Sequence, residues 1–176
     1  MRPRLIWGIV ASAAIVAGSA SVGPARATPA SGFTSSTIAR GTFAEIDVFN
    51  QLVPNGDGAA KLGRDVWVSM QKTKGASDLY VQSNLWTPGG TSGWHTHPGH
   101  SLIIVTGGAV TAYDGDDPSC TPHVYTAGMT LVDPGGDHVH LIRNEGTVDA
   151  RSITVQLLPQ GAVRRIDARE NVNCGF

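Results

Sequence analysis

The chain has 176 residues, of which 41% are hydrophobic, and its 13 basic and 14 acidic side chains leave a formal charge of −1. That balance, with no run of like charges and no basic amphipathic helix, argues against nucleic acid and against an anionic membrane surface as partners. The length is one domain's worth and is enough for a real core.

In chain order, the first 27 residues read as an export signal. Arg2 and Arg4 precede an apolar run from Leu5 to Ala20, and Ala25-Arg26-Ala27 offers a small-x-small cleavage site before Thr28. The run is short and broken by Ser12, Gly18 and Ser19, which disfavours a permanent transmembrane helix. No twin arginine precedes it and no lipidatable cysteine follows, so plain secretion, to the medium or a periplasm-type space, is expected. Cleavage would leave 149 residues carrying ten basic and 14 acidic side chains.

Residues 28–40 are small and polar and read as a flexible leader; a single domain is expected over 41–176. Thr42–Val48 and Asp65–Gln71 alternate weakly, and Trp67 in the second reads as core. Asp78–Thr87 puts Leu79, Val81, Ser83 and Leu85 on one face and Tyr80, Gln82, Asn84 and Trp86 on the other. Leu102–Thr106 and Ala109–Tyr113 flank Gly107-Gly108, a tight-hairpin signal. Met129–Asp133, His138–Arg143 and Arg151–Leu158 complete the strands, and only Ala162–Glu170 hints at a helix. Many short strands with Gly, Pro, Asn and Asp between them predict an all-β antiparallel sandwich or barrel. Asp114-Gly-Asp116-Asp117 lacks the further ligands of a calcium loop and reads as a polar hairpin tip.

Cys120 and Cys174 are the only cysteines. In an oxidising compartment the simplest use of the pair is a disulfide tying the C-terminal tail to the loop at Cys120, worth about 4 kcal/mol on the chain-entropy model. Its reduction is expected to loosen the tail and spare the site described next.

All six histidines lie between His95 and His140, and four form the pairs His95-Thr-His97 and His138-Val-His140. Residues i and i+2 of a strand share a face, so each pair aims two imidazoles at one volume, as a transition-metal site requires. His123, beside Pro122, reads as a solvated loop residue. Trp86 and Trp94 are candidate pocket walls.

Gly89-x5-His95-Thr-His97, followed by a hydrophobic strand ending at Gly107, resembles the first motif of the cupins. Gly128-x5-Pro134, with His140-x3-Asn144 after it, resembles their second. The resemblance covers roughly Tyr80 to Leu158. It implies a small jelly-roll β-barrel with His95, His97 and His140 as metal ligands inside it, and barrels that pair as homodimers. There are two departures. The family's first motif supplies a glutamate where this chain has Ser101, and one extra residue separates Pro134 from His140. Loss of the carboxylate raises the charge of the site and favours an anionic or chelating ligand. His138 is the best candidate for a fourth nitrogen or a supporting group, and His100 for a ligand or pocket base.

Three neutral imidazoles bind Fe, Mn, Ni, Cu or Zn and leave coordination positions open. The leading expectation is a metal-dependent oxidoreductase of the dioxygenase type acting on a small chelating substrate. The alternatives are a non-catalytic small-molecule binding or storage barrel, and an isomerase or lyase acting on a small organic acid or sugar derivative.

Overall fold

The computed structural model describes residues 28–52 and 67–176; the expected export signal and the first two residues of the Asp65–Gln71 strand lie outside them. The strands are β1 Ser31–Phe43, β2 Asp47–Leu52, β3 Trp67–Lys72, β4 Ser77–Thr91, β5 His95–Thr96 and β6 Ser101–Gly107. There follow β7 Ala109–Asp114, β8 His123–Thr126, β9 Thr130–Asp133, β10 His140–Arg143, β11 Ala150–Pro159 and β12 Ile166–Asp167. Among the described residues there is no helix, so none is long and apolar enough to cross a membrane.

Every pairing is antiparallel. One wall runs β1-β4-β11-β6-β9 and the other β8-β7-β10-β5-β12. The long β4 joins them on one side, because its last residue, Thr91, pairs with Arg143 of β10. On the other side the tight turn from β8 to β9, with Met129 N–H donating to Thr126 O at 2.9 Å, closes the barrel. The result is a nearly closed jelly-roll barrel, which hides most strand edges.

Inward residues divide by chemistry. Trp86, Ile103, Val105, Val110, Ile142 and Ala150 form one apolar cluster. A second cluster of Trp94, Tyr113 and Leu141 packs against the disulfide of Cys120 and Cys174, whose Cα atoms lie 5.1 Å apart. On the facing strands β4 and β11 the buried positions are instead Gln82, Asn84, Ser152, Thr154 and Gln156. Leu79, Val81, Leu85, Ile153, Val155 and Leu157, the apolar alternates, are only half-buried on the outside. A buried polar group left without a partner costs about 1–3 kcal/mol, so a barrel built only for stability would have the opposite parity.

Several sequence expectations are corrected. The supposed leader is most of β1, which runs beside β4 from Ser31↔Thr91 to Phe43↔Ser77 with two register shifts. It is held by a main-chain ladder, and Phe33, whose ring centroid is 4.8 Å from that of Trp86, is its main inward anchor; small polar residues therefore gave no periodicity. The Thr42–Val48 segment is broken between β1 and β2. Gly107-Gly108 makes no hairpin: β6 pairs with β11 and β9, whereas β7 pairs with β10 and β8, so the glycines carry the chain from one wall to the other. Trp67 is 58% exposed on the separate β2-β3 ribbon, which no other strand among the described residues joins. The Ala162–Glu170 segment is extended, because β12 hydrogen-bonds to β5.

The tail after β11 starts from a fixed point. Asp78 accepts from Gly161 N–H at 3.0 Å, from Thr42 Oγ1 at 2.6 Å and from Arg40 Nη2 at 2.8 Å. The Gly161 amide first, then these side chains, hold its carboxyl at about 2. Asp78 thus joins β1, β4 and the tail, and its contribution persists above about pH 4 and is lost as pH falls toward 2.

Gly108 has φ of 65°, and a Cβ there would lie 2.5 Å from Asp149 O. Gly108→Val is expected to lose about 2–4 kcal/mol of stability from backbone strain and overpacking, measured as a lower urea midpoint. An unchanged midpoint would mean that the wall-to-wall crossing tolerates rebuilding.

Candidate metal centre

The two-residue strand β5 is clamped on both edges, with His95 opposite His140 of β10 and opposite Asp167 of β12. His95 and His97 point to the same side, and their ring centroids are 4.8 Å apart; His140 lies 4.4 Å from His95 and 5.5 Å from His97. One nitrogen from each ring falls within 4.8 Å of the other two. His95 Nδ1–H donates to Gly93 O at 2.8 Å and His97 Nδ1–H to Arg164 O. A carbonyl can only accept, so both rings keep a free lone pair on Nε2. His140 Nδ1 is buried without a hydrogen-bond partner.

The rings are held neutral. Burial first, then the neighbouring His140, Arg165 and His97, push His95 down to about 2. Burial pushes His140 down to about 4 against the pull of Asp133. His97 is lowered mainly by burial, while its bond to Arg164 O and the nearby Asp133 oppose the shift. Neutral imidazole is the form that ligates, so the donor set and its orphaned nitrogen fit a divalent transition metal.

The carboxylate missing at Ser101 is present one strand away. Asp133 of β9 pairs with Ser101 in register and takes a 3.2 Å hydrogen bond from its Oγ. Asp133 is 3% exposed. Its Oδ2 stands 3.7 Å from His97 Nε2, and its Oδ1 stands 3.5 Å from Nδ1 of both His140 and His138. Sequence reading missed Asp133; the available signal was an acid at inward parity beside the serine that replaces the glutamate. The extra residue of the second motif is absorbed at Gly135 and Gly136, which both have positive φ, in the turn whose Gly136 N–H donates to His97 O at 2.7 Å.

His138 is not a fourth nitrogen of the first group. It forms a second group with Asp133 and His140, and its Nε2 lies 3.1 Å from Asp114 Oδ1. His123 is half-exposed, with Nε2 3.8 Å from Asp114 Oδ2. His100 lies outside both groups and outside the cavity lining.

The three imidazoles line a cavity of about 140 Å³. Trp86 is part of its wall, as expected, but Trp94 belongs to the cluster under the disulfide. Opposite the histidines stand Gln82, Asn84, Thr154 and Gln156, and the tail adds Arg164 and Arg165. Neither arginine is signalled by a local motif, because they follow the strands that carry the motifs and sit in a segment that reads as helical.

The protonation states yield a pH prediction. Unperturbed imidazoles would release metal near pH 6 to 7, but depressed ones compete with it only at lower pH, so half-loss of metal after dialysis is expected well below pH 6, measured by elemental analysis. The same shift stabilises the metal-free fold fully above about pH 6.5, and that stability falls as pH drops toward 4, since the unfolded chain then binds more protons. The tail yields a second prediction. Because Arg164 O orients His97 and β12 clamps β5, Cys174→Ser is expected to weaken metal binding by about tenfold, read by competition with a chromophoric chelator. Unchanged affinity would show that the site does not depend on the disulfide, as the sequence reading expects.

Residues 85–156 match the cupin domain family model. No curated protein matches the chain. Solved structures with similar coordinates include a double-stranded beta-helix domain protein from Klebsiella pneumoniae, 22% identical, which covers 52% of this chain and 76% of its own at a TM-score of 0.44. The polyketide cyclase RemF from Streptomyces resistomycificus is 18% identical over 54% of this chain and 65% of its own, with a TM-score of 0.44. A predicted oxalate decarboxylase from Thermotoga maritima is 20% identical over 48% of this chain and 83% of its own, with a TM-score of 0.39. Both histidine motifs lie inside the matched stretch, so residues 85–156 are a cupin domain.

Proposed function

We propose that this chain is an exported, metal-dependent oxidoreductase of the dioxygenase type that acts on a small chelating substrate. The observation that carries the reading is the convergence of three neutral imidazoles on the wall of a cavity that their own side chains leave open. His95, His97 and His140 would hold an iron, manganese, nickel, copper or zinc ion. That ion would supply Lewis acidity toward a chelating substrate and, if redox-active, a route for electrons to O₂.

The rest of the work falls to the chain. Gly93 O and Arg164 O fix the tautomers of His95 and His97. Asp133 places negative charge beside His97 and His140 and is itself held by Ser101 Oγ and by Gly135 N–H at 3.0 Å. Phe33, Trp86 and Ile103 give the cavity an apolar wall that keeps bulk water from the substrate. Asn84 donates through Nδ2 to Ser152 Oγ and Thr154 Oγ1, which leaves its buried Oδ1 free to receive a substrate donor.

Export to an oxidising compartment is part of the proposal and is supported by the Cys120–Cys174 bond. So is a homodimer, supported by the outward apolar row Val81, Val155, Leu102 and Val132, which sit opposite one another across β4, β11, β6 and β9. A binding or storage barrel is the second reading, favoured by the polar floor, which can hold a ligand without chemistry. The isomerase or lyase reading has less support, because the described cavity lining contains no Asp or Glu to serve as a base.

The test is elemental analysis of the mature protein, followed by O₂ uptake with a panel of small bidentate oxygen chelators. About one ion per chain and chelator-dependent O₂ uptake are expected. His97→Ala should lose the metal and at least about 100-fold of the activity while the fold persists. Full metal with no O₂ uptake would favour the storage reading; full metal in His97→Ala would remove the three-histidine site.

A further inference from the structure

The cavity has an uneven charge pattern that its histidines do not explain. Its described lining includes two guanidinium groups, Arg164 and Arg165, and no carboxylate. Both come from the tail between β11 and β12, beyond the residues that match the family model.

Arg165 is anchored on two of its three nitrogens. Nη1 donates to Ser92 O at 2.6 Å, and Nε to Asp167 Oδ1 at 2.5 Å. Its Nη2 is buried and has no partner. Asp167 is 55% exposed and outside the cavity lining, so it draws off only part of the charge. Arg164 is held over the Tyr80 ring at 4.9 Å, with Nη1 donating to Thr37 Oγ1 at 3.3 Å. No carboxylate pairs with Arg164 among the described residues. An anchored guanidinium with an unused, buried N–H beside an open cavity is a preorganised anion receptor, because the ordering of the side chain has already been met by the fold.

We propose that Arg165, assisted by Arg164, forms an anion subsite beside the three-histidine group, and that the natural ligand is a small organic carboxylate. One carboxylate oxygen accepts from Arg165 Nη2. The cavity, of about 140 Å³, has room for a ligand of a few carbon atoms. The inference rests on the proposed metal centre only for the ligand's other end; the arginine end stands on the tail geometry.

The experiment uses the full mature protein loaded with Co(II), with malonate and its uncharged diamide malonamide as probes in calorimetric titration. Elemental analysis and a thermal melt accompany each variant. Wild type is expected to bind malonate more tightly than malonamide. Arg165→Gln should weaken malonate by about tenfold and leave malonamide nearly unchanged, with metal content intact. Arg164→Gln, which leaves the Arg165 bonds to Ser92 O and Asp167 in place, should do the same to a smaller degree and keeps the test valid if Arg165→Gln loosens the fold. If both folded variants keep the wild-type ratio of malonate to malonamide affinity, the subsite is overturned and the arginines only fasten the tail. If wild type binds no metal, the functional proposal falls by itself. The metal-free titration then decides the subsite: weaker malonate binding in the variants sustains it, and equal binding or none overturns it.

Discussion

The pairing of His95 with His140 across β5 and β10 is the constraint from which the site follows. β5 is only two residues long and has little stability of its own. It is held because β10 takes one edge and β12 the other. This three-strand arrangement sets two imidazoles opposite each other, and strand alternation adds His97 two residues on. The tail that supplies β12 also supplies Arg164 O to His97, so the strand and the ring orientation share one support. The disulfide at Cys174 and the Asp78 bond to Gly161 fix the two ends of that tail.

The inward polarity of β4 and β11 is the second consequence. Polar residues there are satisfied in part by one another: Gln156 Nε2 donates to Ser101 Oγ at 3.3 Å, and Asn84 Nδ2 to Thr154 Oγ1 at 2.9 Å. Stability is recovered in the two apolar clusters, where Trp86 and Trp94 are almost fully buried. A fully buried side chain of this size contributes at least about 2–3 kcal/mol, enough to offset an orphaned acceptor such as Asn84 Oδ1. Trp86 and Ile103 serve both stability and binding, since they belong to the buried apolar cluster and also wall the cavity.

Much of this was legible in the sequence, for identifiable reasons. The strand series from Asp78 to Leu158 was readable because turn residues punctuate it and apolar residues recur within it. The histidine pairs were readable because a two-residue repeat survives in the text. β1 was not, since a strand held by its main chain needs no alternating pattern. The crossing at Gly107-Gly108 was misread because a glycine pair gives the same local signal for a hairpin and for a change of wall. Asp133, Arg164 and Arg165 were missed because their meaning is a matter of register and chain return, which no local window contains. Relative to the motif the chain resembles, the carboxylate beside the histidines is displaced from β6 to its neighbour β9, a displacement visible only when Ser101 and Asp133 are seen side by side.

That displacement divides the interior by charge. Asp133 and His138 face a space also lined by Asp114 and His123, whereas Arg164 and Arg165 face the cavity with the polar floor. His140 borders both. A carboxylate at position 101 would have stood in the same cavity as the guanidinium groups and neutralised them. With serine there and the acid on β9, negative charge stays beside His97 and His140 while the cavity keeps its positive character. Serine at position 101, the acid on β9 and two arginines on the tail therefore act together: they set negative charge on one side of His140 and positive charge on the other.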